Sequence, residues 1–415
     1  MGENGRKWKG PLEVLFIDRS LLVTTTMAPL RQARNRLTRQ LIVCMAVYTH
    51  TYQYKSARNT SVLTGEAFMN ELLHGHPAPF LDTFRMPITT FHKFCNWLRR
   101  KKVFVAPRKS RMSLEQMVGI FLWIVGHNMH RRDVHNRFQH TPSTITKTFH
   151  QVLDALLPLY SEVVRPPTDA IPGCIARDWD KMKYFKDMRG AIEGTNIEAH
   201  IPAELKVPFH NCKGTLSQNV LVGCTLDMYF FYYLPGWEGS ANDARVLEQA
   251  MIHDFPQLPD CIYLADAGYG LWNGILTPYK GIRYHLREQA KAVQQPKIKE
   301  ELFNLWHAQS RNVIERIFGV FKKRFHILDK LPSYSFDVQV KLILVLVALH
   351  TFIRYRANSV EDTIFAEADS ENEARNHQQS QQQGCENQSG STSREAAPTE
   401  DRNMAELREK MATEM

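Results

Sequence analysis

The sequence predicts an α/β fold in the second half of the chain, preceded by an all-helical region. Three observations carry this expectation. Before residue 165, apolar residues recur at helical spacing, as in "ITTFHKFCNWLRRKK" and "STITKTFHQVLDALLPL". Pro166, Pro167, Pro172 and Gly173 then punctuate the chain. Beyond them come short apolar or alternating runs, "GAIEGTNIEAHIP", "SQNVLVGCTLDMYFFYYLPG" and "CIYLADAGYG", with helical segments between.

Residues 1–60 lack sustained periodicity and read as a basic, poorly ordered extension, with a short helix from Arg39 to Val47 and Met27 as an alternative start. In region 61–165, "AFMNELLHG" and "ITTFHKFCNWLRRKK" read as helices around a loop, "HPAPFLDTFRMP". Ser113 with Gln116 forms a capping box before an apolar helix to about Gly126. A short helix from Arg132 to Phe138 follows, and then Thr141 as N-cap with Pro142 at the first helical position of a long helix. Two helices joined by about three residues, the second polar on its outer face, form a helix-turn-helix pattern, in which the second helix can enter a major groove. A plain helical bundle would read the same way.

In the later region, Gly194 reads as a turn after Glu193, and a hairpin turn falls near Asp227. A helix opens at Ser240 with Asp243 three residues on, and amphipathic helices cover Asn312–Phe325 and Phe336–Tyr355. Residues 357–415 are rich in Gln, Ser, Glu and Asn and read as a disordered acidic and polar tail, with a weak helix near Met404–Met411.

With 415 residues and 43% hydrophobic content, the chain has ample material for a core. Lys plus Arg number 52 against 43 Asp plus Glu, and clusters such as "RQARNRLTR" and "RRKK" concentrate the excess before Arg111. Such a distribution points to a polyanionic partner, most simply nucleic acid. The seven cysteines form no C-x-x-C pair, which argues against a disulfide framework and a thiolate zinc site. The apolar runs "MVGIFLWIVG" and "LILVLVAL" fall short of the roughly 20 residues that span a bilayer, and no secretory signal is visible, so no membrane partner is expected.

Chemistry enters with the carboxylates. Two-metal phosphoryl transfer needs acids converging from different elements, because Mg²⁺ takes oxygen ligands. Glu193 ends an apolar run, Asp266 ends a later one, and Glu315 lies on a following helix; an RNase H-like scaffold places its acids in that order. Each has an ordinary explanation too: Asp266 as a turn former, Glu315 as a partner for Arg311, Glu193 as a solvated acid and Asp243 as a helix cap.

The local sequences carry more than spacing. "YFKDMRGAIEGTNIEAHIP", "NCKGTLSQNVLVGC", "GWEGSANDARVL", "YLADAGYG" with "LTPYKGIRYHL", and "ELFNLWHAQSRNVIERIFGVFKKRFHIL" resemble, in order, the blocks of the PIF/Harbinger transposase-derived nucleases, DDE superfamily endonucleases. The resemblance covers about Thr64 to Arg354. It implies an RNase H-like catalytic domain at 185–356, a mixed sheet flanked by helices, preceded by a helical, helix-turn-helix-like domain. Glu193, Asp266 and Glu315 then match the catalytic and metal-binding acids, with Asp243 as an additional acid and Mg²⁺ or Mn²⁺ as cofactor. Arg131, Arg132, Ser143, Thr144, Lys147, Arg311, Arg316, Lys322 and Lys323 are the candidate DNA contacts. A Myb/SANT-like DNA-binding partner, a homo-oligomer and a nuclear location are further expectations.

The sequence departs from the family at Glu193, where Asp is usual, at Asn196 in place of His, and at Thr351 in place of Asn. One extra methylene moves a carboxylate by about 1 Å, a displacement that can cost ~10²-fold in rate. Two functions therefore stay open: a metal-dependent DNA endonuclease, and a transposase-derived DNA-binding protein with impaired or lost catalysis.

Overall fold

The apolar run at Ala191–Ile192 lies within a strand, β1 (Met188–Glu198), whose first five residues are buried because it is paired on both sides. A strand covered on both edges and both faces reads as continuously apolar. Its antiparallel neighbour β2 (Ser217–Thr225) joins β3 (Phe230–Glu238) through the turn at Asp227 and Met228. On the other side β4 (Ile262–Leu264) and then β5 (Ile275–Leu276) run parallel to β1. The described strands form one mixed sheet in the order β3-β2-β1-β4-β5. β1 does not turn at Gly194, as the sequence led one to expect, but pairs with β2 through Glu198.

The computed structural model describes residues 27–53, 59–102, 112–282, 298–357, 361–367 and 401–415, with 296 and 370. Expectations for residues 1–26 and for 371–400 of the tail lie outside the described residues. Two compact units divide the chain, Met1–Thr60 and Ser61–Met415. In the first, α1 (Met27–Tyr48) is much longer than the expected helix at 39–47, which corrects the reading of this stretch as poorly ordered. Arg31, Arg34, Arg36 and Arg39 lie on it, all exposed.

The second unit opens with α2 (Gly65–His74), α3 (Pro77–Phe84), α4 (Ile88–Lys101) and α5 (Leu114–His127). α3 replaces the expected loop: Pro77 sits at the helix start, where its missing N–H costs nothing, and Phe80, Leu81 and Phe84 are buried. Ser113 caps α5 as expected, but Gln116 contacts His140 Nε2 (2.9 Å) instead of closing the capping box. α6 (Arg131–Phe138) and α7 (Pro142–Val163) meet through a three-residue turn, with Gln139 left-handed and Thr141 accepting from the Thr144 N–H. The helix start at Thr141 and Pro142 is where the sequence put it.

One helix of the later region lies between β3 and β4, and two long ones follow β5. α8 (Asp243–His253) is capped by Asn242, not Ser240, so Asp243 is released from the expected capping role. α9 (Lys299–Arg324) is 26 residues long and begins well before Asn312. α10 (Phe336–Arg356) has Leu342, Ile343 and Val345 to Leu349 fully buried. By length and composition α10 is apolar enough to cross a membrane, more so than the short run inside it suggested; here it packs against α7 as a core helix.

That packing joins the helical region to the sheet. Phe121, Phe149 and Leu156 belong to the same hydrophobic cluster as Val220, Val222 and Leu346, so the prolines at 166–172 do not separate two cores. Each such fully buried side chain contributes roughly 1.5–3 kcal/mol. The expected disorder from 357 onward also needs correction. Asp362 and Ile364 are buried, and α11 (Arg402–Glu414) returns to bury Met404, Met411 and Ala412 in this cluster. Met residues spaced seven apart present one apolar face, and Glu409, facing Tyr279 and Lys299, fixes the helix beside α9.

Candidate active site

β1 carries Glu193 out of the buried half of the strand, and its neighbour Gly194 lets a second acid approach. A Cβ at Gly194 would collide with the Asp243 carboxylate, so this glycine provides clearance rather than a turn. Asp243 reaches the strand from the first turn of α8, and Asn219 of β2 holds it there, donating from Nδ2 to Oδ1 at 2.7 Å. The same Asn219 amide donates to the Ala241 carbonyl at 2.9 Å, tying the loop before α8 to the sheet. Asp266 follows β4, half-buried, at the start of a short 3₁₀ turn.

From the other side α9 supplies Arg311 and, one turn later, Glu315. Arg311 bridges the acids: Nη1 is 3.1 Å from Glu193 Oε2 and Nη2 is 2.8 Å from Glu315 Oε1. Side-chain exposure is 10% for Arg311, 27% for Glu193 and 46% for Glu315, so the bridge grades from interior to solvent.

The electrostatics follow from crowding. Burial raises the Glu193 carboxyl to about 7; Arg311 opposes this, while Glu315 and Asp266 add to it by repulsion. Burial also raises Asp243, the Asn219 hydrogen bond lowers it, and Asp266 raises it. Four acids from β1, α8, the end of β4 and α9 thus feel one another through a partly desolvated region. Tyr269, buried beside them, has its hydroxyl held well above the ordinary range, first by burial and then by Asp243 and Glu193.

A hard divalent cation would find suitable donors here, carboxylate oxygens whose mutual repulsion it would relieve. Among the described residues, however, no three of His, Cys, Asp and Glu are gathered closely enough to hold a metal ion. The positive charge between Glu193 and Glu315 comes from Arg311. Its expected role as a phosphate contact is therefore corrected: the guanidinium is nearly buried and committed to two carboxylates.

The other expected nucleic-acid contacts divide. Arg132, Ser143 and Lys147 are exposed around α6 and the start of α7, and Thr144 is half-buried. The Ser143 hydroxyl lies 3.0 Å from Thr141 Oγ1, and Arg131 lies over the Tyr334 ring at 5.8 Å. On α9, Lys322 is exposed, Arg316 is half-buried, and Lys323 lies 3.9 Å from Glu367. Asn196 is exposed and accepts from the Ser217 hydroxyl, whereas Thr351 is fully buried in α10. The sequence reading did not single out Asn219, although it lies inside the "SQNVLVGC" block, and it paired Arg311 with Glu315 but not with Glu193.

Comparison with known proteins agrees with this geometry. Residues 60–158 match a family described as "Domain of unknown function (DUF8040)", and residues 192–351 match the "DDE superfamily endonuclease" family. The chain is 23% identical to "Putative nuclease HARBI1" of Homo sapiens and of Rattus norvegicus, and 22% identical to that of Bos taurus. Each match runs over 215 residues, 50% of this chain and 58% of the relative. No solved structure matches. The endonuclease match spans every acid that meets at β1, so residues 192–351 are similar to the DDE superfamily endonucleases, and the chain spans little more than half the length of the curated relatives it matches.

Proposed function

We propose that the protein is a metal-dependent DNA endonuclease of the transposase type, with an RNase H-like catalytic domain. The observation that carries this reading is the convergence of Glu193, Asp243, Asp266 and Glu315 within a DDE endonuclease segment. Drawn closer than their present spacing, with a cation taking the place of the Arg311 charge, Glu193, Asp266 and Glu315 would hold Mg²⁺ or Mn²⁺, with Asp243 as an additional acid. When bound, such ions activate the attacking water and stabilise the leaving oxygen of the phosphodiester. The chain's own part is positional: Asn219 fixes Asp243, and Arg311 keeps Glu193 and Glu315 on one side of the sheet. Glu193 must be ionised to accept a cation, and its carboxyl sits at about 7, so metal-dependent cleavage should climb as pH rises through 7.

DNA contact is assigned to the α6–α7 helix-turn-helix, through Arg131, Arg132, Ser143, Thr144 and Lys147, and to Arg316, Lys322 and Lys323 of α9. A DNA substrate puts the protein's work in the nucleus. The Myb/SANT-like partner and the homo-oligomer rest on family resemblance alone.

A second reading, a DNA-binding protein with impaired catalysis, is favoured by Arg311 standing between two acids and by Glu193 in the usual Asp position. DNA cleavage assays in Mg²⁺ and Mn²⁺ separate the two. Cleavage by the chain as it stands, lost with EDTA and in Glu315→Ala, is the expected result. Metal-independent cleavage, or cleavage that survives Glu315→Ala, would sink the proposal, and cleavage only in Glu193→Asp would establish the second reading.

A further inference from the structure

The cluster "RRKK" at the end of α4 is not absorbed by the acid site. Lys93, Arg99 and Arg100 of α4 and Arg356 of α10 line a cleft of about 520 Å³, over a floor of Trp97 and Phe352. No carboxylate lines it. A second cleft of about 500 Å³ shares Trp97, Phe352 and Arg356 and extends to Arg165 and Glu162.

The neighbouring acids are already satisfied. Glu162 pairs with Lys101 at 2.7 Å and accepts from Trp97 Nε1 at 2.9 Å, and Glu115 pairs with Arg99. Among the described residues no carboxylate is in ion-pair contact with Lys93, Arg100, Arg165 or Arg356, all of them exposed. Lys93 instead donates to the Arg356 carbonyl at 3.0 Å, tying the first half of α4 to the end of α10. Cations at helix C-termini offset the helix dipole, but that effect fades within the last turn. It does not account for Arg165 or for Lys93, which lies two turns before the end of α4.

We propose that these adjoining clefts form a second nucleic-acid contact, separate from both the acid cluster and the α6–α7 motif, which grips the phosphodiester backbone of DNA. Long exposed cations spread along two connected clefts, without a buried polar anchor, suit an extended polyanion rather than one small anion. The flat aromatic floor supports the alkyl stems and guanidinium planes while their N–H groups face outward. Sequence plays no part in such a contact, because phosphates position the duplex and base edges specify it. The proposal deepens the nuclease reading by naming how DNA is held, and it is tested by binding alone, so that failure of catalysis does not touch it.

The experiment is fluorescence anisotropy of a short labelled duplex with the full chain in EDTA, over a salt series. Lys93→Ser/Arg100→Ser/Arg356→Ser should weaken binding by about 10- to 100-fold near ~0.2 M salt and reduce the log–log salt slope by about 2 to 3. Arg100→Lys/Arg356→Lys should keep the slope. Arg100→Gln/Arg165→Gln serves if the triple variant loses its fold, and it should lower the slope by about 1 to 2. An unchanged slope in the folded variants would overturn the proposal, as would an equal loss in Lys183→Ser/Lys186→Ser. Displacement of the duplex by polyglutamate at equal charge would reassign the clefts to an acidic peptide.

Discussion

Arg311 and Arg324 lie on the same helix, α9, and both are withdrawn from solvent in ion pairs, but the two sites are built to opposite ends. Arg324 is fully buried against Asp362, whose side chain is 3% exposed; Nη2 lies 2.7 and 2.6 Å from its two carboxylate oxygens. Its Nη1 donates to the Arg85 carbonyl at 2.8 Å, so one guanidinium ties α9 to α3 and to the segment after α10. Arg311 is shared between two acids, one of them nearly half exposed, and more acids stand beside it than it can neutralise. A dry charge pair with its hydrogen bonds made is a fixed strut, since removing either member strands the other. A shared, half-open bridge over excess carboxylate is a place where charge can be exchanged.

The largest expected effect breaks the strut. Asp362→Ala leaves a buried guanidinium without its partner and should cost about 3–5 kcal/mol in chemical denaturation. A loss below about 1 kcal/mol would show that Arg324 finds water, and the contrast between the two arginines would collapse.

His307, one turn before Arg311, sharpens the comparison. It is fully buried, with Nε2 3.0 Å from the Leu276 carbonyl, and burial holds its imidazole down at about 4. The unfolded chain takes up this proton near 6.5 and the folded protein only near 4, so stability falls as pH drops through that window. The loss should reach up to about 3 kcal/mol, and His307→Gln should flatten it. Equilibrium unfolding across that range tests the claim, and a profile unchanged by the substitution would refute it.

The smallest effect belongs to the exchangeable bridge. Glu315→Ala removes an acid that is nearly half exposed, four residues after its arginine, the less favourable polarity for a helix pair. Stability should change by less than about 1 kcal/mol while metal-dependent cleavage disappears. A large stability loss would make Glu315 a structural partner of Arg311 and weaken its assignment as a metal-binding acid.

Much of this was legible in the chain. The Thr141–Pro142 helix start, the hairpin at Asp227 and the strands carrying Glu193 and preceding Asp266 are local matters, written in turn chemistry and periodicity. The readings that failed were local ones over-extended. The stretch read as a loop holds a helix that Pro77 begins, Ser240 lost the cap to Asn242, and the weak helix expected near Met404–Met411 runs from Arg402 to Glu414 and packs its Met face into the core.

By itself the sequence determined that acids would fall on a strand, after a later strand and on a following helix, because side-chain periodicity and capping are set within a few residues. Only the tertiary structure decided that Arg311 would reach Glu193 across 118 positions, that Asp243 would lean on Gly194, and that Arg324 would close on Asp362. Those pairings depend on strand order and on which helix faces share a core. Both are set when distant segments bury apolar surface together, and neither is encoded in any one stretch.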